Sequence, residues 1–532
     1  MSNAVVEHTR EPLGSRRLWL ALGGYVALLV ALAVQHEMWR DEVRAFSVAT
    51  RAASWGQMLS DLHQEGHPAL WYAVLRAGYA VTHSKLVLPV AAIVIAVAIA
   101  YLILRYAPFP FWLRILAVFG TFLGFELSVM ARNYGIGVLF MIATCVVFRS
   151  RAEKPWLPAI CLGLMANTSV HGALAALVIL FIWVTDVFDV ERRKSLVAPL
   201  TGVSLIFVVA AVAFAFATAR PTPEMAWAFS PSQLDAAHVV RTIFTDPGLA
   251  LKGVHGSNVA AAGEFPWRYL HIDPGSASRV IVDAVLLWLA WSLRRKPVHL
   301  LAMILTIVGF ELLFREVYSG ALRHEGVIAF LLFSICWLAV DEDREKVDPA
   351  NSRRIALGLL PLFAVQAVAL PFVAQRYFFK PASESKAFGR FLESHPKYRD
   401  AILMSEPDYM IEAMPYYAPN RVYMPRQGEF HYRVYFDQGQ KRIRDLTLTR
   451  LLAIADSVAC ANRSTVLLAL GNTDISWRRE RRVNVEYQAS FSWTDAERNL
   501  LRQRTTLVAS FPWAISDEYY HIFEVAPSCS SR

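Results

Sequence analysis

The run LVLPVAAIVIAVAIAYLIL, residues 86–104, carries no charged side chain. As a helix rising about 1.5 Å per residue, it nearly spans the ~30 Å hydrocarbon core of a bilayer. Comparable runs recur on both sides of it, at Leu18–Val34, Phe111–Leu127, Tyr134–Phe148, Trp156–Val170, Ala173–Phe188, Leu196–Ala217, Val280–Leu293, Val298–Phe314, Val327–Val340 and Ile355–Val373. With 86–104 they make eleven candidate spans. The composition agrees: 55% of the 532 residues are hydrophobic and only 18% charged, too apolar for an ordinary soluble domain. The predicted fold class is an α-helical polytopic membrane domain over residues 1–375, followed by an extracytoplasmic α/β domain over 376–532.

The net charge of +9 does not point to nucleic acid, because the basic residues cluster between the apolar runs and across the tail. Those clusters set topology. Ala69–Val81 is a twelfth apolar stretch, short and carrying Arg76. With it left out, the segments holding Arg16/Arg17, Arg105/Arg114, Arg149/Arg151/Lys154, Arg192/Arg193/Lys194, Arg294/Arg295/Lys296 and Arg344/Lys346/Arg353/Arg354 all fall on the cytoplasmic side. Counted as a span, it turns every later cluster outward. Ala69–Val81 is therefore read as an amphipathic helix on the outer interface, with Trp71, Tyr72 and Tyr79 at headgroup level. The same parity places the loop from Gln35 to Lys85, the loop from Arg220 to Arg279 and the whole tail outside. The polar, basic N-terminus leads into what reads as a retained first span.

In the tail, Ala401–Met404 and Thr465–Leu470 read as strands, Ser383–Ser394 and Thr447–Val458 as helices, and Met414–Tyr435 as loops and turns. Five cysteines are too few for a disulfide scaffold, and Cys145, Cys161 and Cys336 sit in apolar segments as small hydrophobes. Cys460 and Cys529 share the tail; an oxidising compartment would allow them to pair, and the sequence leaves that open.

Charged groups near span ends usually line a cavity or pathway. Here they gather at the outer ends. Directly after the first span comes His36-Glu37-Met38-Trp39-Arg40-Asp41-Glu42, an adjacent carboxylate pair. Such a pair suits a general base or a metal ligand, and equally an ordinary helix start at Val43–Leu59, whose first turn favours acids. Further outer turns are Glu65-Gly66-His67-Pro68, Ala131-Arg132-Asn133-Tyr134, Asn167-Thr168-Ser169-Val170-His171-Gly172 and the segment Tyr318–Gly326 with Arg323 and His324. Taken singly, each Arg or His is a snorkelling or packing residue; together they suit a phosphate-bearing lipid, with Arg gripping phosphate bidentately. Pairing of the arginines with Glu126, Glu311 or Glu316 is the structural alternative.

Trp39-Arg40-Asp41-Glu42 after the first span, Glu65-Gly66-His67-Pro68-Ala69-Leu70-Trp71-Tyr72, and Ala131-Arg132-Asn133-Tyr134 resemble, in order and placement, motifs of the GT-C polytopic glycosyltransferases. The branch is that of the protein mannosyltransferases and lipid A aminoarabinose transferases. The resemblance is best up to about Gly172, and Pro68-Ala69 stands where a double proline is common. It implies an inverting transferase that moves a sugar from a polyprenyl-phosphate donor to a lipid, glycan or protein acceptor on the outer face of a bacterial inner membrane. Asp41 would be the general base with Glu42 beside it. Arg132, Tyr134 and Arg323 would bind the donor phosphate, with His67, His171 and His324 as helpers. No cofactor is implied; a single acidic pair favours metal-independent chemistry, with Glu42 as the ligand if a divalent ion is used. Two other classes fit the same residues. A carrier of lipid-linked sugar needs the arginines and no base, and a scaffold presenting the tail needs neither.

Overall fold

In the computed structural model the described residues are 15–189, 198–220, 274–316, 320–346, 349–435, 443–471, 481–485, 489–527 and 529. Most of the predicted loop from Arg220 to Arg279, the cluster Arg192–Lys194 and the turn residues Tyr318 and Ser319 lie outside them. Among the described residues, eight helices are long and apolar enough to cross a membrane: this is a multi-pass membrane protein. Their outward sides carry large apolar residues such as Val94, Ile206 and Val368, which are more than half exposed and suit lipid contact.

Two of the predicted spans differ from full-length helices, while Pro274–Leu293 is a 20-residue helix. Trp156–Ala166 is a shorter apolar helix. Phe111–Leu127 is broken into a helix, Phe111–Val118, and a π-helical turn, Phe122–Glu126. The break has a local cause. At Gly120 a Cβ would lie 2.9 Å from Gln366 Cβ, so the backbone packs directly on the last long helix, Pro349–Phe379, and Thr121 Oγ1 donates to Gln366 O at 3.0 Å.

The first loop is helical. Arg40–Arg51 and Trp55–Asp61 replace the single predicted helix Val43–Leu59. Ser54 caps the second by accepting from Gln57 N, while the last carbonyls of the first are taken by Arg76, whose Nη1 donates to Ala49 O and Ala52 O, both at 2.9 Å. The predicted interfacial helix is present as Leu70–Thr82. Trp71 and Tyr72, however, are 1% and 2% exposed and face the protein, not a headgroup layer. The Leu70 amide bonds Asn167 O at the end of the short Trp156–Ala166, so this helix seats where that one stops.

The tail is an α/β domain. A six-stranded sheet runs β3(Glu429–Phe430)-β2(Val422–Met424)-β1(Ile402–Glu406)-β5(Val466–Gly471)-β9(Tyr520–Val525)-β8(Thr506–Phe511). β1 is parallel to β2 and β5; β9 is antiparallel to β5 and β8. β1 and β5 are buried throughout, with alternate residues entering opposite cores: Leu403 and Leu467 pack with Phe388, Ile402 and Leu468 with Leu451 and Leu452. Continuous apolar runs at these strands follow from burial on both faces. A second sheet, β4(Asp445–Thr447)-β7(Ala489–Trp493)-β6(Arg481–Val485), flanks it. Cys460 and Cys529 are disulfide-bonded.

Domain and loop meet at one end of the bundle. Lys85 Nζ donates to Tyr416 O, Arg44 reaches Glu412, and Arg40 reaches Asp517 and Glu518. At the opposite ends of their helices, Arg149 pairs with Asp341, Arg151 with Asp186 and Lys296 with Glu342. The predicted parity of first loop and tail is thus reproduced as a shared end.

Candidate active site

A cavity of about 150 Å³ opens where the first loop meets the bundle, lined by Asp41, Arg44, Ala45, Glu65, His67, Trp71, Tyr72, Arg132 and Asn133. Asp41 lies in the first turn of Arg40–Arg51 with 27% of its side chain exposed. Its Oδ2 receives Arg132 Nη1 at 2.7 Å and Arg323 Nη2 at 3.3 Å. Burial by itself would raise its pKa, but Arg132, Arg323 and Arg40 together hold the carboxyl well below the usual range. The expected constellation of Asp41, Arg132 and Arg323 is therefore assembled from three separate parts of the chain. The arginines choose Asp41 itself over Glu126 or Glu311.

Glu42 does not join it. The helix turns its carboxylate away from the cavity into a fully buried site, where Oε1 accepts from the Ala131 amide at 2.6 Å and Oε2 from the Trp39 amide at 3.1 Å, with His36 Nε2 at 2.9 Å. The Trp39 bond is half of a capping box, which orients Arg40–Arg51; the Ala131 bond fixes the turn that presents Arg132. The expected second catalytic carboxylate is, by geometry, a clamp between Asp41 and Arg132. Gly135 tightens the same turn, since a Cβ there would lie 2.4 Å from Leu127 O.

His67 does line the cavity. Its Nδ1 is buried without a hydrogen-bond partner, as is Trp71 Nε1. Burial, reinforced by Arg132, pushes the His67 pKa down to about 4, leaving a neutral ring at pH 7. His171 and His324, expected beside the phosphate, stand behind Tyr134 and outside the cavity lining. The Ala321 amide donates to His324 Nδ1 at 2.8 Å, so the proton sits on Nε2 and is given to the Tyr134 hydroxyl at 2.9 Å. His171 stacks on His324 with centroids 4.6 Å apart. Tyr134 in turn lies under the Arg132 guanidinium at 5.9 Å. This column of rings supports Arg132 from below.

Arg44 and Glu65 of the lining belong to a charged belt that the sequence reading missed. Arg44 grips Glu65 with two bonds, 2.8 and 2.9 Å, and donates to Glu412 at 2.6 Å and to Val434 O at 3.0 Å. Arg433, with a fully buried side chain, bonds Glu65 at 2.9 Å and pairs with Asp61 at 3.0 Å. Arg44 and Arg433 outweigh burial and lower the Glu65 pKa. A second clamp holds Arg40: Glu518, fully buried, accepts its amide at 2.7 Å together with the Ser383 and Ser385 hydroxyls, and burial raises the Glu518 carboxyl to about 7 despite Arg40. Partners 368 and 478 residues apart leave no local signal. Among the described residues no three His, Cys, Asp or Glu side chains converge as metal ligands.

No protein-family model and no curated protein matches the chain. Two solved structures, both of ArnT from Cupriavidus metallidurans, are similar. The one bound to undecaprenyl phosphate has 12% identity and a TM-score of 0.45, the apo form 13% and 0.38. Each alignment covers 98% of this chain and 100% of that one. At these scores the function is to be read from the site itself.

Proposed function

We propose that the protein is an inverting glycosyltransferase, taking a sugar from a polyprenyl-phosphate donor and passing it to an envelope lipid, glycan or protein on the outer face of a bacterial inner membrane. The observation that carries this reading is the Asp41 carboxylate held by Arg132 and Arg323 in the lining of a polar cavity. As drawn, the two guanidiniums make Asp41 a weak base. A donor phosphate competes for the same guanidiniums, and each one it draws away returns basicity to Asp41 while stabilising the leaving charge. An acceptor hydroxyl or amine then attacks the anomeric carbon and gives its proton to Asp41. The bond from that carbon to the phosphate oxygen breaks, and polyprenyl phosphate leaves on Arg132 and Arg323. Attack opposite the phosphate inverts the centre. His67, Trp71, Tyr72 and Asn133 are the neutral polar residues of the lining that serve the sugar or phosphate oxygens, and Tyr134, His324 and His171 hold Arg132 in place.

The test is transfer of radiolabelled sugar from a panel of polyprenyl-phosphate sugars in membranes with wild type or Asp41→Asn, acceptor extract present and folding checked by size exclusion. Product from wild type alone, undiminished by EDTA, is the expected result. Donor bound equally by both and consumed by neither would replace the transferase with a carrier or scaffold, and loss of product in EDTA would remove metal independence.

A further inference from the structure

We propose that Pro512 and Trp513, with Phe378 and Phe379, form a lipid-contacting edge on which the C-terminal domain rests against the bilayer. This inference is independent of the transferase reading. The last long helix, Pro349–Phe379, carries an exposed apolar stripe including Leu357, Val368, Phe378 and Phe379, the last 80% exposed. Its end is level with the end of the first span, because the Tyr377 ring lies 6.3 Å from that of His36 and 4.2 Å from that of Phe125. Phe378 and Phe379 therefore stand where the helix leaves the hydrocarbon.

The loop after β8 is pinned to that exit. The Ile515 amide bonds Pro381 O at 2.9 Å, the Ser516 amide bonds Ala382 O at 3.1 Å, and the Ser516 hydroxyl bonds Ala382 O at 2.7 Å. Trp513, two residues before the first of these bonds, can stray at most about 7 Å along the chain from Ile515. It is nonetheless 75% exposed, beside an exposed Pro512. The strand register gives the same orientation: Phe511 pairs with Tyr520 at the end of the sheet toward the spans, while Thr506 pairs with Glu524 away from them. An exposed tryptophan continuous with a lipid-facing stripe, flanked by the exposed cations Arg376 and Lys380, has the composition of a membrane-interface belt over anionic headgroups. The same loop ends in Asp517 and Glu518, which clamp Arg40 next to Asp41, so resting on the bilayer also steadies the site.

The test uses the full chain, with Cys145, Cys161 and Cys336 replaced by alanine, in vesicles of phosphatidylethanolamine and phosphatidylglycerol. A nitroxide is placed at Trp513→Cys, at Phe379→Cys and, at the far end of the sheet, at Arg421→Cys. Labels at 513 and 379 should collide with oxygen in preference to a water-soluble nickel chelate, the chelate collisions being several-fold fewer than at 421. Chelate access at 513 equal to that at 421 overturns the proposal, as does a label at 513 shielded from both agents, which would mean a second copy covers it. In the unlabelled protein, the emission difference between wild type and Trp513→Phe should be quenched by lipids brominated near the headgroup; an unquenched difference also overturns it.

Discussion

Glu42 offers the sharpest test of the site's construction. It is fully buried and holds three donors: the Ala131 amide at 2.6 Å, the Trp39 amide at 3.1 Å and His36 Nε2 at 2.9 Å. Glu42→Ala strands the buried Ala131 amide, the half-buried Trp39 amide and an imidazole, and breaking such a charged cluster costs about 3–5 kcal/mol. Glu42→Gln keeps one carbonyl oxygen for Ala131 and turns an NH2 toward the Trp39 amide, losing that bond at a cost of about 1 kcal/mol. Displacement of Asp41 and Arg132 by that much should slow transfer about fivefold, since 1.36 kcal/mol is tenfold in rate. The assay is initial transfer rate beside heat inactivation in detergent, with Asp41→Asn alongside. Glu42→Gln should retain about a fifth of the activity with a modest loss of heat resistance, and Glu42→Ala should lose both. Glu42→Gln as inactive as Asp41→Asn, with wild-type heat resistance, would refute the clamp and make Glu42 a chemical participant. Unchanged heat resistance of Glu42→Ala would show that the three bonds contribute nothing.

Three further outcomes follow from the same geometry. His67, with its folded pKa near 4 against an ordinary 6.5, binds its proton more readily in the unfolded chain; stability should fall as pH drops from about 6.5 toward 4, and His67→Gln should flatten that limb in a thermal-midpoint series. Arg433→Met should leave Glu65 with Arg44 alone and loosen the tail from the first loop, read as faster proteolysis of the tail and slower transfer, whereas unchanged digestion would show that the belt does not hold the domain. Cys460→Ala with Cys529→Ala opens a loop of 69-residue separation, and the chain-entropy relation puts the loss at about 4 kcal/mol; two free thiols in the unreduced wild type would end the disulfide.

Much of the architecture was legible because a bilayer admits few solutions. Uncharged runs near span length have to be helices, and the placement of Lys and Arg clusters fixes their direction. That logic located Leu70–Thr82 as a helix outside the spans and placed the first loop with the tail. It misjudged what Leu70–Thr82 faces, because an aromatic stripe suits a headgroup layer and a protein groove equally; only the neighbouring helix ending at Ala166 decided it.

At the site, the sequence by itself determined which residue types were available: a carboxylate after the first span, and arginines and histidines at later turns of the same end. It could not say which of two adjacent acids faces the cavity. Successive residues on a helix point about 100° apart, so Asp41 and Glu42 were bound to diverge, but the direction of each depends on where the helix docks. Tertiary structure decided that, by giving Glu42 the Ala131 amide and Asp41 the two arginines, and by setting His171 and His324 behind Tyr134. It alone also supplied the partners Arg433, Glu412 and Glu518 of the lining and loop charges, because ion pairs between residues hundreds of positions apart leave no periodicity to read; they exist only once burial makes an unpaired charge too costly.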